Sequence, residues 1–468
     1  MNRFYAAFAI LIILLLIFRA PVANAETLLT EALLVEKIKL RHPGIRAAEA
    51  DRTAQQSEVR QSLGAFDPII RGQVLRSLDG PYGIYYTDLS VEQNTSILGS
   101  KWVAGYRRGL GSYPVYDEKM RTNEAGEFRA GLEVPLLRNL LIDERRARFD
   151  VQAIGSSAAN ETLLQSEQEV LRAGLIRYWD WVAAGKKLEL NYHLLKIAEE
   201  RDEFLGERIK AGDAPRIELM DNQRVMVQRQ SLVVGAERAL QKAALELSMF
   251  LWDENGKRTI PEKKTLPKDW GVWKSALTDE EFLQRQKVES VPEAKIQRFS
   301  VLQREIELRL ARNQILPRLD VSTTVSRDYG LGPLKANDTE WRVGLTLEFP
   351  LLFNTSLGRK EQAFARLVRS EMIEQLTVER LWNQRIDLAQ AVHAIESRLS
   401  LAKDEVKLAD KLEDLETERF LHGDSSILIV NLREQATLEA ELKLLDLNLE
   451  LKRSQIDIEF NQAKLGSQ

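Results

Sequence analysis

Two kinds of periodicity alternate along the chain. Trp341, Val343, Leu345, Leu347 and Phe349 alternate with Arg342, Gly344, Thr346 and Glu348. Phe128, Ala130, Leu132 and Val134 alternate likewise with Arg129, Gly131 and Glu133, and Leu319, Val321, Thr323 and Val325 with Asp320, Ser322, Thr324 and Ser326. A period of two with one apolar face predicts strands. Runs of about ten residues are long enough to cross a bilayer at a tilt, although a half-buried soluble sheet alternates in the same way. The segments between them read as helices of unusual length. Residues 140–211 hold no proline and few glycines, which predicts roughly 105 Å of helix. Residues 353–422 predict nearly the same, and 27–63 and 213–251 about half as much. Such lengths suit a tube, not a globular core.

The last helix carries two apolar series with 4-3 spacing. One is Leu438, Leu442, Leu445, Leu449, Lys452 and Ile456, with a polar break at Lys452; the other is Ala440, Leu444, Leu447, Leu451, Ser454 and Ile458. One seam serves one partner helix. Two adjacent seams serve two neighbours, as in a ring of helices, although an ordinary bundle also presents a wide apolar face.

The order of elements runs twice. Pro43 is followed after 25 residues by Pro68, and Pro292 after 25 residues by Pro317. The strand-to-helix passages LEVPLLRNLLIDERRARF (132–149) and LEFPLLFNTSLGRKEQAF (347–364) each carry a proline at the joint, Pro135 and Pro350. A proline there needs no N–H partner and fixes φ while the chain turns. The pairs Gly212, Asp213 and Gly423, Asp424 lie 77 and 73 residues beyond those prolines. Glycine suits a left-handed helix end, and aspartate can cap the helix that follows, with Pro215 in its first turn. Each pair therefore reads as the tip of a long antiparallel hairpin. Residues 26–251 and 277–468 form the two repeats, and 252–276, interrupted by Gly256, Pro261, Pro267 and Gly271, reads as a linker.

Composition narrows the setting. Residues 1–25 read as a signal peptide, with Arg3, an apolar stretch over 7–18 and an Ala23-Asn24-Ala25 cleavage site. The apolar stretch is short for a membrane anchor. Cleavage takes Arg3 and Arg19 from 66 basic residues against 70 acidic ones and leaves a net charge of −6. That balance argues against a nucleic-acid partner. With no cysteine there is no disulfide framework, thiol nucleophile or lipid-modified cysteine. No later apolar run approaches 18 residues, so a membrane role would need a β-barrel. His42, His193, His393 and His422 are scattered without metal-ligand spacing, and no phosphate loop or nucleophile elbow is present. No metal, cofactor or catalytic residue is therefore expected. The run Asp143 to Arg146 reads as a solvated helix start.

The duplicated order of helix-start proline, LPRLDV strand start, LEFPLL joint and glycine-containing tip resembles the TolC family of outer-membrane efflux proteins over the whole mature chain. The resemblance implies a mixed fold. A homotrimer would carry a 12-stranded transmembrane β-barrel in the outer membrane, continued by a long periplasmic α-helical barrel with a small equatorial domain, to which 252–276 would contribute. It implies a passive exit duct of a tripartite efflux or type I secretion system, opened by a periplasmic adaptor and an inner-membrane pump and surrounded by outer-membrane lipid. The tip residues would then meet the adaptor. The alternatives are a periplasmic coiled-coil adaptor, which would have one hairpin and not a doubled order, and a structural outer-membrane component. The transported class, whether drug, metal ion or protein, is not chosen by a duct wall.

Two departures from the family pattern appear. Pro68 to Pro135 spans 67 residues and Pro317 to Pro350 only 33, so the first strand region carries about 34 extra residues, strand-like over 87–94 and 100–108. An extra hairpin outside the barrel is expected, with 113–126 as an exposed polar loop, in preference to two more barrel strands. Relatives also place acidic residues six and nine positions after the second tip glycine, where they constrict the entrance. Here those positions hold Ile429 and Leu432, while the first copy has Glu218 and Asp221.

Overall fold

The computed structural model describes residues 28–213, 215–267, 282–332 and 338–466. The expected signal peptide and part of the linker, 268–276, lie outside them. The chain begins with α1 (Glu31–Arg41) and α2 (Pro43–Leu63), followed by β1 (Ile69–Arg76), β2 (Ile84–Asn94), β3 (Lys101–Gly111) and β4 (Glu127–Pro135). The long α3 (Glu144–Ala211) and α4 (Arg216–Leu247) complete the first half. The second half is α5 (Pro292–Asn313), β5 (Arg318–Asp328), β6 (Glu340–Glu348), α6 (Asn354–Leu421) and α7 (Ile427–Asn461).

The four paired prolines mark element boundaries. Pro43 and Pro292 sit at the first turn of α2 and α5, where a missing N–H costs nothing. Pro68 and Pro317 stand immediately before β1 and β5. The expected single helix over 27–63 is instead broken at His42. Pro43 disfavours helical backbone at the residue before it, and His42 is extended at φ −69 and ψ 126. Its ring accepts a hydrogen bond from Gly44 N at 3.1 Å and stacks on Phe250. The two long helices are each 68 residues, about 100 Å.

The strands form one antiparallel meander in the order β1 to β6. Four strands, with the insert outside the sheet, were expected; the insert instead supplies β2 and β3, hydrogen-bonded between β1 and β4. The segment 113–126, expected as an exposed loop, is exposed at Val115, Tyr116, Glu118 and Lys119 but is held against the sheet on either side of them. Thr122 donates from its N–H to Gly109 O at 2.8 Å, and Tyr113, Thr122 and Asn123 are buried. β2 and β3 carry their apolar residues in the same alternation as their neighbours, so both can join the ladder without turning an apolar face inward.

The main core lies where α1 and α2 cross the middle of α3. Leu34, Ile38, Leu171, Leu175, Tyr178, Trp181, Leu240 and Leu247 are buried together. Gly174 and Gly185 permit this, because a Cβ at either would collide with Ile38 or Leu266. Residues 252–267 fold back on the same core through Leu266, and Leu29 N donates to Thr265 O at 3.0 Å. The two seams of α7 have two partners. Ile456 and Leu449 join the α3 core, whereas Leu451 and Ile458 pack with Val392 and Ile395 of α6. The polar break at Lys452 is filled by Trp179, whose ring lies 4.7 Å from the ammonium.

Buried charge ties the two hairpins together. Glu434 of α7 is 1% exposed and receives the guanidinium groups of Arg201 from α3 and Arg229 from α4. Arg201 also reaches Asn431 Oδ1 at 2.9 Å, and Arg229 donates to Leu194 O at 2.6 Å. Removing the carboxylate strands two guanidinium groups away from water. Glu434→Ala should therefore lower stability by about 3–5 kcal/mol, read as a shift of the denaturant midpoint, with Glu434→Gln losing less. An unchanged midpoint would show that the triad does not join the hairpins. Nearer solvent, Glu413 of α6 and Glu441 of α7 are both pushed above the usual carboxylate range. Desolvation is the main cause for each, reinforced by Glu434, Asp410 and Asp414 for Glu413 and by Asp410 and Glu413 for Glu441. A carboxyl whose folded pKa is raised contributes stability that is complete below its unfolded pKa and lost as pH rises through the folded one. Glu413→Gln should therefore raise the unfolding temperature at neutral pH and shrink the gain seen on acidification toward pH 5. Thermal scans at the two pH values check both.

Candidate functional site: the sheet wall, the joints and the hairpin tips

The sheet is turned inside out relative to a soluble one. One row across all six strands runs Ile70, Val91, Ala104, Ala130, Val325 and Trp341; the adjacent row runs Arg71, Ser90, Gly105, Arg129, Ser326 and Glu340. Ile70, Val74, Leu89, Val91, Trp102, Phe128, Trp341, Val343, Leu345 and Leu347, all on the apolar face, are exposed. The opposite face holds every acidic residue of the strands and most of the basic ones, and is the better covered; Arg76, Arg108 and Arg327 stand on the apolar face near the strand ends away from the helices. On the charged face Arg129 meets Asp88 at 2.7 Å, Lys101 meets Glu92 at 3.0 Å, Arg107 pairs with Glu127, and Arg318 pairs with Asp320 and Glu133. A solvated sheet buries its apolar side; a sheet facing lipid does the reverse.

Pro135 is the last residue of β4, buried and opposite Asp320. It does not end the ladder by itself, because Leu136 N still donates to Leu319 O at 2.7 Å. The turn proper is made by Asn139, in left-handed conformation at φ 71, and by Asp143. Asp143 is not the solvated residue expected. It is buried, accepts from the N–H groups of Arg145 and Arg146 at 2.8 and 3.0 Å, and binds the Arg146 side chain at 2.8 Å. Arg146 in turn grips Leu140 O, and Asn313 of α5 accepts from Asn139 N at 2.8 Å. Pro350 follows β6 in a plainer joint, in which Phe353 precedes α6 without a side-chain cap and meets Phe349 edge to face.

The tips are near copies of each other. Gly212 and Gly423 take φ 84 and 82, and in each case the next residue closes the helix end, Asp213 N to Arg208 O and Asp424 N to Arg419 O, both at 2.9 Å. The aspartates were expected to cap α4 and α7. They do not: the cap positions are Pro215 and Ser426, neither with a side-chain cap bond. Their carbonyls are held instead, by Arg208 at 3.0 Å and Arg419 at 3.0 Å. The signal is present in both copies as an arginine four residues before the glycine, in ERIKAGD and ERFLHGD.

Just above the tips, Leu205, Phe420, Ile427 and Val430 are buried together and join the two hairpins. Ile429 and Leu432, one helical turn apart on the other face of α7, remain exposed, at 39% and 57%. Leu432 borders a groove shared with Arg224 and Gln228 of α4. Glu218 and Asp221 lie in the first turns of α4, and Asp221 is 3.9 Å from Arg224. Ile429 and Leu432 are thus on a different helix from the acidic pair, and Arg224, the partner of Asp221, borders the same groove as Leu432. Among the described residues no group of histidine and carboxylate side chains is arranged to hold a metal.

No family model matches the sequence, and no curated protein matches it. Solved structures do match. CusC, which forms a transmembrane channel, superposes with a TM-score of 0.67 at 13% identity over 95% of each chain. The MtrE outer-membrane channel of Neisseria gonorrhoeae, in its open state, gives 0.65 at 15% identity over 93% of this chain and 89% of that one. The outer-membrane protein VceC of Vibrio cholerae gives 0.64 at 13% identity over 92% and 96%. The chain thus has, nearly end to end, the fold of the TolC-like outer-membrane channels.

Proposed function

We propose that the protein is an outer-membrane exit duct, a channel and not an enzyme. The observation that carries this reading is the exposed apolar face of a six-stranded sheet whose charged face is turned inward. The sheet continues directly into helices about 100 Å long, enough for the tips to reach across a periplasm. The two halves, 26–251 and 277–468, with matched prolines and tips, fit an internal duplication.

The chain closes a ring with copies of itself. Among the described residues β1 and β6 are unpaired edges. Met220, Val227 and Val234 on α4, and Leu401, Leu408 and Leu415 on α6, recur every seven residues and are all more than half exposed, each a seam without a partner among the described helices. Different edges meeting head to tail generate a ring, and the relatives' fold suggests three copies. A periplasmic adaptor would then seat on the tips around Gly212, Asp213, Gly423 and Asp424, and an inner-membrane pump would supply the energy. An adaptor identity fits less well, because the chain bears two hairpin tips. Light scattering of the detergent-extracted protein should give three times the chain mass, and planar bilayers should show conducting channels. A monomer would end the ring reading, and a trimer without conductance would favour the structural component.

Ile429 and Leu432 form the entrance constriction in this reading, three copies of each making apolar collars that gate by excluding water. Asp424, with Glu218 and Asp221, remains near the collars in this reading and leaves some cation preference. Leu432→Asp should introduce a block by divalent or trivalent cations that the wild type largely lacks. A wild type already blocked, and unaltered by the substitution, would remove the apolar gate.

A further inference from the structure

The segment 112–126 joins β3 to β4 at the end of the sheet away from the helices. At the other end Asn94 reaches Ala65 O and Gln93 reaches Phe66 O, next to α2. The segment does not extend beyond the strands as a free loop. Gly109 pairs with Tyr86 on the charged face, and a Cβ at Gly109 would collide with Met120 O. Tyr113 donates to Tyr85 O at 3.1 Å. Tyr86 and Tyr113 are both 8% exposed, whereas Tyr85 and Leu89, on the apolar face of the same strand, are open. Residues 113–122 thus cover the charged face and reach two or three residues in from the strand end, about 7–10 Å, while 124–126 prolong β4 and take the Tyr106 and Arg108 side chains of the apolar face. The segment is fixed on its other flank as well: Glu124 N donates to Leu331 O at 3.0 Å, Ala125 N to Tyr329 O at 2.9 Å, and Arg108 Nε to Glu124 O at 2.7 Å. From this anchored segment Val115 and Tyr116 stand clear of the protein, 84% and 76% exposed.

We propose that 112–126 is a built-in constriction at the outer mouth of the pore, folded against the lumenal wall and presenting Val115 and Tyr116 toward the axis. The proposal rests on the duct reading above. It is coupled to the extra hairpin. Six strands per chain make eighteen in a trimer, a wall wide enough to leave an aqueous channel, and the insert that widens the wall also carries the segment that narrows it. An aromatic and an aliphatic side chain, each present three times, would favour amphipathic solutes over large hydrated ones.

The absence of native cysteine makes the test direct. Channels of Tyr116→Cys and, as control, Leu89→Cys are recorded in planar bilayers before and after a bulky water-soluble thiol reagent. Modification at position 116 is expected to cut conductance at least twofold and modification at position 89 to leave it unchanged. Val115→Ala with Tyr116→Ala is expected to raise conductance at least twofold without altering trimer yield. Conducting channels that respond to neither change overturn the constriction and leave the duct intact. A wild type that does not conduct overturns both.

Discussion

A sheet with two unpaired edges and a bare apolar face is stable neither in water nor in lipid. In water the apolar face is exposed; in lipid the edge N–H and C=O groups go unsatisfied, at several kcal/mol each. Closure with other copies meets both demands, because every strand gains a neighbour and the apolar rows form one continuous belt. In the proposed ring the rest of the chain follows from that closure. The helices leave the sheet at the end where β2 turns into β3, and their outer seams on α4 and α6 lie unfilled at the two flanks of the chain.

The helical part is organised around a different compromise. Apolar seams bring α7 against both α3 and α6, but hydrophobic contact is not directional. The placement of Glu434 between Arg201 and Arg229 is directional: the guanidinium forks meet the carboxylate in only a few geometries. Desolvation makes such a triad a weak net stabiliser and a strict one. The two hairpins are thereby fixed in register near the tips, where an entrance would be set by differences of one helical turn.

Much of this was legible in the sequence, and what was missed has a common cause. Period-two alternation located β4, β5 and β6, and the absence of proline located α3 and α6 within a few residues. The paired glycines marked the tips because a left-handed residue is a local requirement. The strand character of 87–94 and 100–108 was visible too; its place in the sheet was not, since alternation does not say which strand lies next door. The same holds for Asp143, which reads as a solvated helix start but is buried against Arg146, and for 112–126, whose polarity suggests solvent although its partners are Gly109 and Tyr329. The break at His42 is the exception, because the effect of Pro43 on the preceding residue is local and could be read from the sequence.

The six-strand count also bears on how a sheet can be welded to a ring of helices. Strands about 4.8 Å apart and tilted by about 40° advance the rim by roughly 6 Å each, so the eighteen of a three-copy ring would make a circumference near 110 Å. Next to the sheet each chain presents four helical segments, α2, α3, α5 and α6. Twelve helices spaced about 9–10 Å apart make nearly the same circumference. With twelve strands the sheet rim would be about a third shorter than the helical one, and each joint would have to lean outward to make up the difference. In the three-copy ring proposed above, β2 and β3 in the wall would make the two rims match, so the joints would not have to lean outward.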